Sequence, residues 1–180
     1  EYEQYLRLAE PGYGAVRALL GPDQYPCYLI AHEFMGLGTA FKARLAGDPG
    51  GRTIFYAHEV ATVRRLVESH PGRDVGFYNA LQVARAGGVY LEEVFGPQDD
   101  FFKHALVRQA WRCDGIFAVG DRVVEELRFL GPEFGERPVD LVYNGVPAER
   151  ISSADKAQAK GKLVHYARNL LHFSPELVFS

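Results

Sequence analysis

Twice in this chain a short apolar run of strand-forming residues ends in Ala-His-Glu and gives way to a helix-like pattern. Cys27-Tyr28-Leu29-Ile30 leads into Ala31-His32-Glu33, and Thr53-Ile54-Phe55-Tyr56 leads into Ala57-His58-Glu59. Strand-like runs alternating with helical patterns are the sequence mark of βαβ units and a parallel sheet. Residues just past each strand of such a sheet share one edge, where open α/β folds bind ligands. The same His-Glu pair placed twice on one rim predicts a polar cleft.

The alternation continues. Gly115-Ile116-Phe117-Ala118-Val119 and Val139-Asp140-Leu141-Val142-Tyr143 supply a third and a fourth strand. Helices are expected over about 2–20, 36–46, 60–69, 75–96 and 100–112, the fourth ended by Gly87-Gly88 with a short turn near Leu91 and Val94. Asp121 caps a further helix with a core face of Val123, Val124, Leu127 and Leu130. Ser152 and Asp155 have capping-box spacing before a last helix that runs to about Leu171. The expected fold class is therefore α/β, a parallel β-sheet flanked by helices.

A chain of 180 residues, 47% of them hydrophobic, is long enough for one domain with a real core. Its net charge of −3 and scattered Lys and Arg argue against nucleic acid as a partner. No run approaches the roughly 20 apolar residues of a membrane span. No charged-then-apolar leader opens the chain. Cys27 and Cys113 read as buried free thiols in a reducing compartment, so a cytoplasmic setting is expected. Glu1 falls inside a helical pattern and Leu177-Val178-Phe179-Ser180 reads as the start of a strand, so the chain reads as an excerpt of a larger protein.

Several chemistries drop out on spacing. A zinc-protease helix needs a second histidine four residues after the first, but Gly36 follows His32 and Thr62 follows His58 at that interval. No metal site is expected. No Gly-x-Ser-x-Gly elbow and no Walker-type phosphate loop occurs. Gly36-Leu37-Gly38 follows a strand, but Phe41 stands where a dinucleotide fingerprint needs its third glycine. These glycines suit an anion at a helix N-terminus or close helix–strand packing equally well.

The rim residues carry paired readings. His58, with Arg64 and Arg65 on the following helix, suits a bound phosphate or is a solvent-facing loop histidine. Glu33 would bond ligand hydroxyls or favour the next helix through its dipole. Asn144-Gly145 is a binding element or a plain turn. Gly76-Phe77-Tyr78-Asn79 is an aromatic sugar platform or core packing. His70, His104, His165 and His172 show no partners and receive no role.

Taken in order, these segments resemble the N-terminal domain of retaining GT-B glycosyltransferases, in particular the glycogen and starch synthase-like group. The resemblance covers about residues 27–150. His32-Glu33-Phe34 is similar to the family's His-Asp/Glu-Trp, and Thr53 to His58 to its Thr-x-Phe-Thr-Thr-His, with Arg64 at the spacing of a following arginine. Gly76 to Leu81 resembles its Asp-Phe-Tyr-Asn-x-Leu. Ile116 to Asp121 with Glu125-Glu126-Leu127 resembles a strand and helix bearing a later glutamate, and Val142 to Val146 its Pro-Asn-Gly-Val strand end. Phe34, Gly120 and Pro147 depart from the usual tryptophan, serine and Asp/Asn.

The resemblance implies a Rossmann-like half of a two-lobed enzyme, residues 1–172, with 173–180 opening the nucleotide-sugar-binding domain. It implies glucosyl transfer from ADP- or UDP-glucose to an α-glucan, with no cofactor beyond the donor. His58 and Glu33 would lie by the transferred sugar and Arg64 by the donor phosphates, with Asn144 and Gly145, His32, Tyr78 and Asn79 lining the cleft. In this family the nucleotide leaves on the face where the acceptor attacks, so no protein nucleophile is required. The partners implied are the nucleotide sugar, a saccharide acceptor and the protein's own C-terminal domain. The 180 residues alone are expected to be inactive. The same fold serving a small-molecule, lipid or other saccharide acceptor, or a non-catalytic α/β ligand-binding module, are the alternatives.

Overall fold

The computed structural model describes residues 2–21, 26–47, 50–145 and 151–171, in two compact units, Glu1–Asn144 and Gly145–Ser180. The strand start expected at Leu177-Val178-Phe179-Ser180 and the domain expected to open at 173, with His172, Val146 and Pro147, lie outside the described residues.

The first unit is an α/β, Rossmann-like fold. Strands β1 (Cys27–His32), β2 (Gly51–Ala57), β3 (Gly115–Ala118) and β4 (Asp140–Leu141) form a parallel sheet in the order β1-β2-β3-β4. The register sets His32 beside Tyr56, Ala57 beside Ala118 and Ala118 beside Leu141. Helices α1 (Tyr2–Arg7) and α2 (Ala9–Leu20) precede the sheet, and α3 (Glu33–Ala46) joins β1 to β2. Between β2 and β3 come α4 (Ala61–Ser69), α5 (Arg73–Ala86), α6 (Leu91–Phe95) and α7 (Phe102–Val107). Helix α8 (Asp121–Leu130) follows β3. The second unit contains α9 (Ser153–Leu171), opened by the Ser152–Asp155 capping box: each residue's side chain bonds the other's amide at 3.1 Å.

Strand geometry sends alternate side chains to opposite faces. On one face Ala31, Thr53, Phe55, Ala57, Ile116 and Ala118 are buried under helices. Phe77, Leu81, Leu91, Leu127 and Phe129 complete the core there, and Phe77 stacks on Phe95 at 5.2 Å. The other face carries Tyr28, 68% exposed, and Ile30, 46% exposed, beside half-buried Ile54, Tyr56 and Phe117. Consecutive parallel strands joined by right-handed crossovers send every crossover to the same side, which accounts for this asymmetry.

Four elements depart from the sequence reading. The expected helix over 2–20 breaks at Leu8, because Pro11 has no N–H to bond the Arg7 carbonyl and its ring crowds that group. The expected helix over 100–112 stops at Val107 and tightens into a 3₁₀ turn at Ala110–Arg112. That three-residue pitch puts Val107, Ala110 and Cys113 together in the core. Strand β4 spans two residues instead of five, and both are exposed. The helix after β1 starts at Glu33, so Gly36 and Gly38 lie inside it.

Close packing explains these two glycines. A Cβ on Gly36 would sit 2.8 Å from the Ala31 Cα, and one on Gly38 would sit 3.2 Å from the Tyr5 carbonyl. Gly36→Ala should therefore destabilise the fold by about 1–3 kcal/mol in chemical denaturation, through overpacking against β1. Gly14→Ala in α2, where nothing lies within 4 Å, should instead stabilise by about 0.5–1 kcal/mol. Equal responses at the two positions would refute the packing account.

Candidate functional site

All four strands point the same way, so the residues that follow them gather on one edge. His32 ends β1, and His58 lies one residue past β2. Their rings are nearly parallel, with His32 Nδ1 3.0 Å from His58 Nε2. One ring must donate and the other accept, and the tautomer sets which. Tyr56 packs against both, with ring centroids 5.3 Å from His32 and 4.4 Å from His58. Its hydroxyl donates to the Val142 carbonyl at 2.5 Å and lies 3.5 Å from Asn144 Oδ1. Gly145 is exposed and opens the second unit.

Glu33 ties this edge together from below. Its backbone has φ +55°, a left-handed conformation that costs a side-chain-bearing residue about 1–2 kcal/mol. Its Oε1 accepts the backbone N–H of His58 and, at 2.9 Å, that of Glu59. Burial lifts its carboxyl above the ordinary 4.5, while the two amides oppose that rise. The carboxylate therefore occupies the amides that an anion before α4 would need. Glu59 in turn meets Arg64 at 3.5 Å, a half-exposed pair that binds the guanidinium weakly.

A second polar group stands behind Arg64. Glu126 of α8 is only 5% exposed, and accepts the Tyr78 hydroxyl at 2.5 Å. Burial raises its pKa, against the nearby charges of Arg64 and Arg122. Burial, then the bond to Glu126, pushes Tyr78 up to about 12. The Arg122 guanidinium lies over the Tyr78 ring at 4.2 Å. At the start of α8, Asp121 accepts the Tyr143 hydroxyl at 2.7 Å.

Of the residues singled out in the sequence, His32, His58, Glu33 and Asn144 thus meet around Tyr56 and the β2–α4 turn, and Arg64 and Tyr78 meet around Glu126. Asn79 sits exposed on α5, without a hydrogen-bond partner among the described residues. Phe77, beside it, belongs to the core. Three histidines outside this edge have partners of their own. His104 Nδ1 lies 2.9 Å from Thr62 Oγ1, His70 accepts the Gly72 amide, and His165 bonds Asn169.

Tyr56, Arg122 and a buried role for Glu126 went unread. For Glu126 a signal existed: it lies three residues after Val123 and four before Leu130, on the buried stripe of α8, where a carboxylate needs partners. Among the described residues no group of three His, Cys, Asp or Glu side chains is arranged to hold a metal ion. Comparison with known family models and with curated protein sequences finds no match for this chain.

The buried carboxylate generates a pH signature. Because burial raises Glu126 above 4.5, the folded chain binds that proton more tightly than the unfolded chain does. Its contribution to stability is then complete below 4.5, is lost as pH rises through the raised value, and stays constant above it. Glu126→Gln keeps an acceptor for Tyr78 but removes the charge. Denaturation midpoints from about pH 4 to about pH 8 should fall less steeply for the variant than for the wild type. Parallel profiles would show that Glu126 does not titrate in this range.

Proposed function

We propose that this chain is the acceptor-side part of a retaining GT-B glycosyltransferase of the glycogen/starch synthase-like kind. It would move a glucosyl unit from ADP- or UDP-glucose to an α-glucan in the cytoplasm. The observation that carries the reading is the meeting of His32, Tyr56 and His58 at the carboxyl edge of the sheet. Consistent with a non-membrane setting, no helix among the described residues is long and apolar enough to cross a membrane.

The chemistry suits those side chains. Breaking a sugar–phosphate bond builds positive charge on the sugar and negative charge on the leaving diphosphate, so preorganised dipoles and cations should oppose each. His58 would present its ring edge to the sugar, with His32 and Tyr56 fixing its orientation. Glu33 acts as a positioning residue, since its carboxylate holds the backbone that carries His58. Exposed Arg64 and Arg122 would approach the donor phosphates. Asn144 would line the same pocket. The protein's own C-terminal domain would supply the remaining nucleotide contacts.

One observation favours a non-catalytic ligand-binding module: Glu33 is committed to two amides and has little left for a substrate. The two readings part in the intact protein. If the transferase reading holds, His58→Ala should lower glucosyl transfer at least about 100-fold with an unchanged melting temperature. Unchanged turnover would remove His58 from the chemistry. Binding of ADP- or UDP-glucose without any transfer, to glycogen or to other saccharide acceptors, would favour the module.

A further inference from the structure

The opposite edge of the sheet holds a groove of different chemistry, and the transferase reading makes no use of it. A cavity of about 580 Å³ opens between the last turn of α3, the end of α7 and the segments that lead into β3 and β4. Ligand pockets fall in the range of about 300–1,000 Å³, so a small organic molecule fits. Phe41, Leu106 and Trp111 form its apolar wall, and Arg44, Arg112 and Arg137 its polar one. No carboxylate lines it among the described residues.

The three cations are not equivalent. Arg44 is already neutralised by Asp114 at 2.8 Å. Burial raises the pKa of Asp114, but the Thr53 amide and Arg44 outweigh that and hold its carboxyl below the ordinary range. Arg112 and Arg137 have no carboxylate within ion-pair distance among the described residues. Both are nonetheless held in place. Arg112 donates through Nε to Gln109 Oε1 at 2.8 Å and lies over Trp111 at 4.4 Å. Arg137 donates through Nη1 to the carbonyl of Cys113, the residue next to Arg112, at 2.9 Å. A guanidinium has five N–H donors, so each keeps several for a ligand.

The carboxyl ends of α3 and α7 contribute about half a negative charge each at this edge, and that opposes an anion. Two uncompensated guanidiniums outweigh it. Oriented arginines beside an aromatic wall suit a ligand that joins a phosphate to a ring.

We propose that this groove binds a small organic phosphate, the phosphate on Arg112 and Arg137 and the ring against Trp111 and Phe41. Trp111 is the only tryptophan of the chain, so its emission reports on the groove alone. The probe is AMP, titrated into the protein with free tryptophan as the absorbance control, beside inorganic phosphate and adenosine. AMP should give a saturable change below about 1 mM, inorganic phosphate a clearly weaker one, and adenosine none. Arg112→Gln should weaken AMP about fivefold with an unchanged melting temperature. Arg137→Gln should act in the same sense, and Arg112→Gln covers the case in which loss of the Cys113 contact unfolds the chain. No saturable response to AMP, equal affinities for AMP and either control, or an unaltered affinity in Arg112→Gln would overturn the proposal.

Discussion

Four parallel strands lie side by side in chain order, and each crossover returns the chain to the same side of the sheet. Two consequences follow from that single arrangement. The helices accumulate over Phe55, Ala57, Ile116 and Ala118, which packs one face as a core and leaves Tyr28 and Ile30 on the other. The strand ends also align, so His32, His58, Asp121 and Asn144 share an edge although 112 positions separate the first from the last. The core and the candidate site are thus two products of one topology.

Within that edge, Glu33 does the local work of assembly. It stands in a left-handed conformation at the mouth of α3 and holds the amides of His58 and Glu59. A carboxylate that bridges two strand ends fixes their relative height, and so the distance between the imidazoles they carry. Its burial is tolerable because both amides are donors that would otherwise lack partners before α4. The buried pair of Tyr78 and Glu126 performs a similar service one layer out, tying α5 to α8. Arg64 and Arg122 lie exposed at the surface of this second group, Arg64 against Glu59 and Arg122 over the Tyr78 ring.

The two edges of the sheet therefore differ in character. At the carboxyl edge, imidazoles, a phenol and compensated carboxylates form a site of little net charge. At the amino edge, Arg112 and Arg137 stand without carboxylate partners among the described residues, beside the chain's one tryptophan. At that same amino edge Asp114 ties Arg44 of α3 to Thr53 of β2.

Much of the fold was legible in the residue order. Hydrophobic runs at Cys27–Ile30, Thr53–Tyr56 and Gly115–Ala118, separated by helical periodicity, specify a parallel α/β sheet because both signals are local. So is the capping chemistry at Ser152 and Asp155. Proline at position 11 also carried the break between α1 and α2, although periodicity alone hid it. The site was legible only as positions: the strand ends marked His32, Glu33, His58 and Asn144, without saying which would touch. Whether Glu33 faces a ligand or a backbone amide, whether Gly36 cradles an anion or admits Ala31, and what partners Glu126 would find were decided by tertiary structure. Those outcomes depend on contacts between residues 5 to about 90 positions apart in the chain, and no local pattern encodes the register that brings them within a few ångströms.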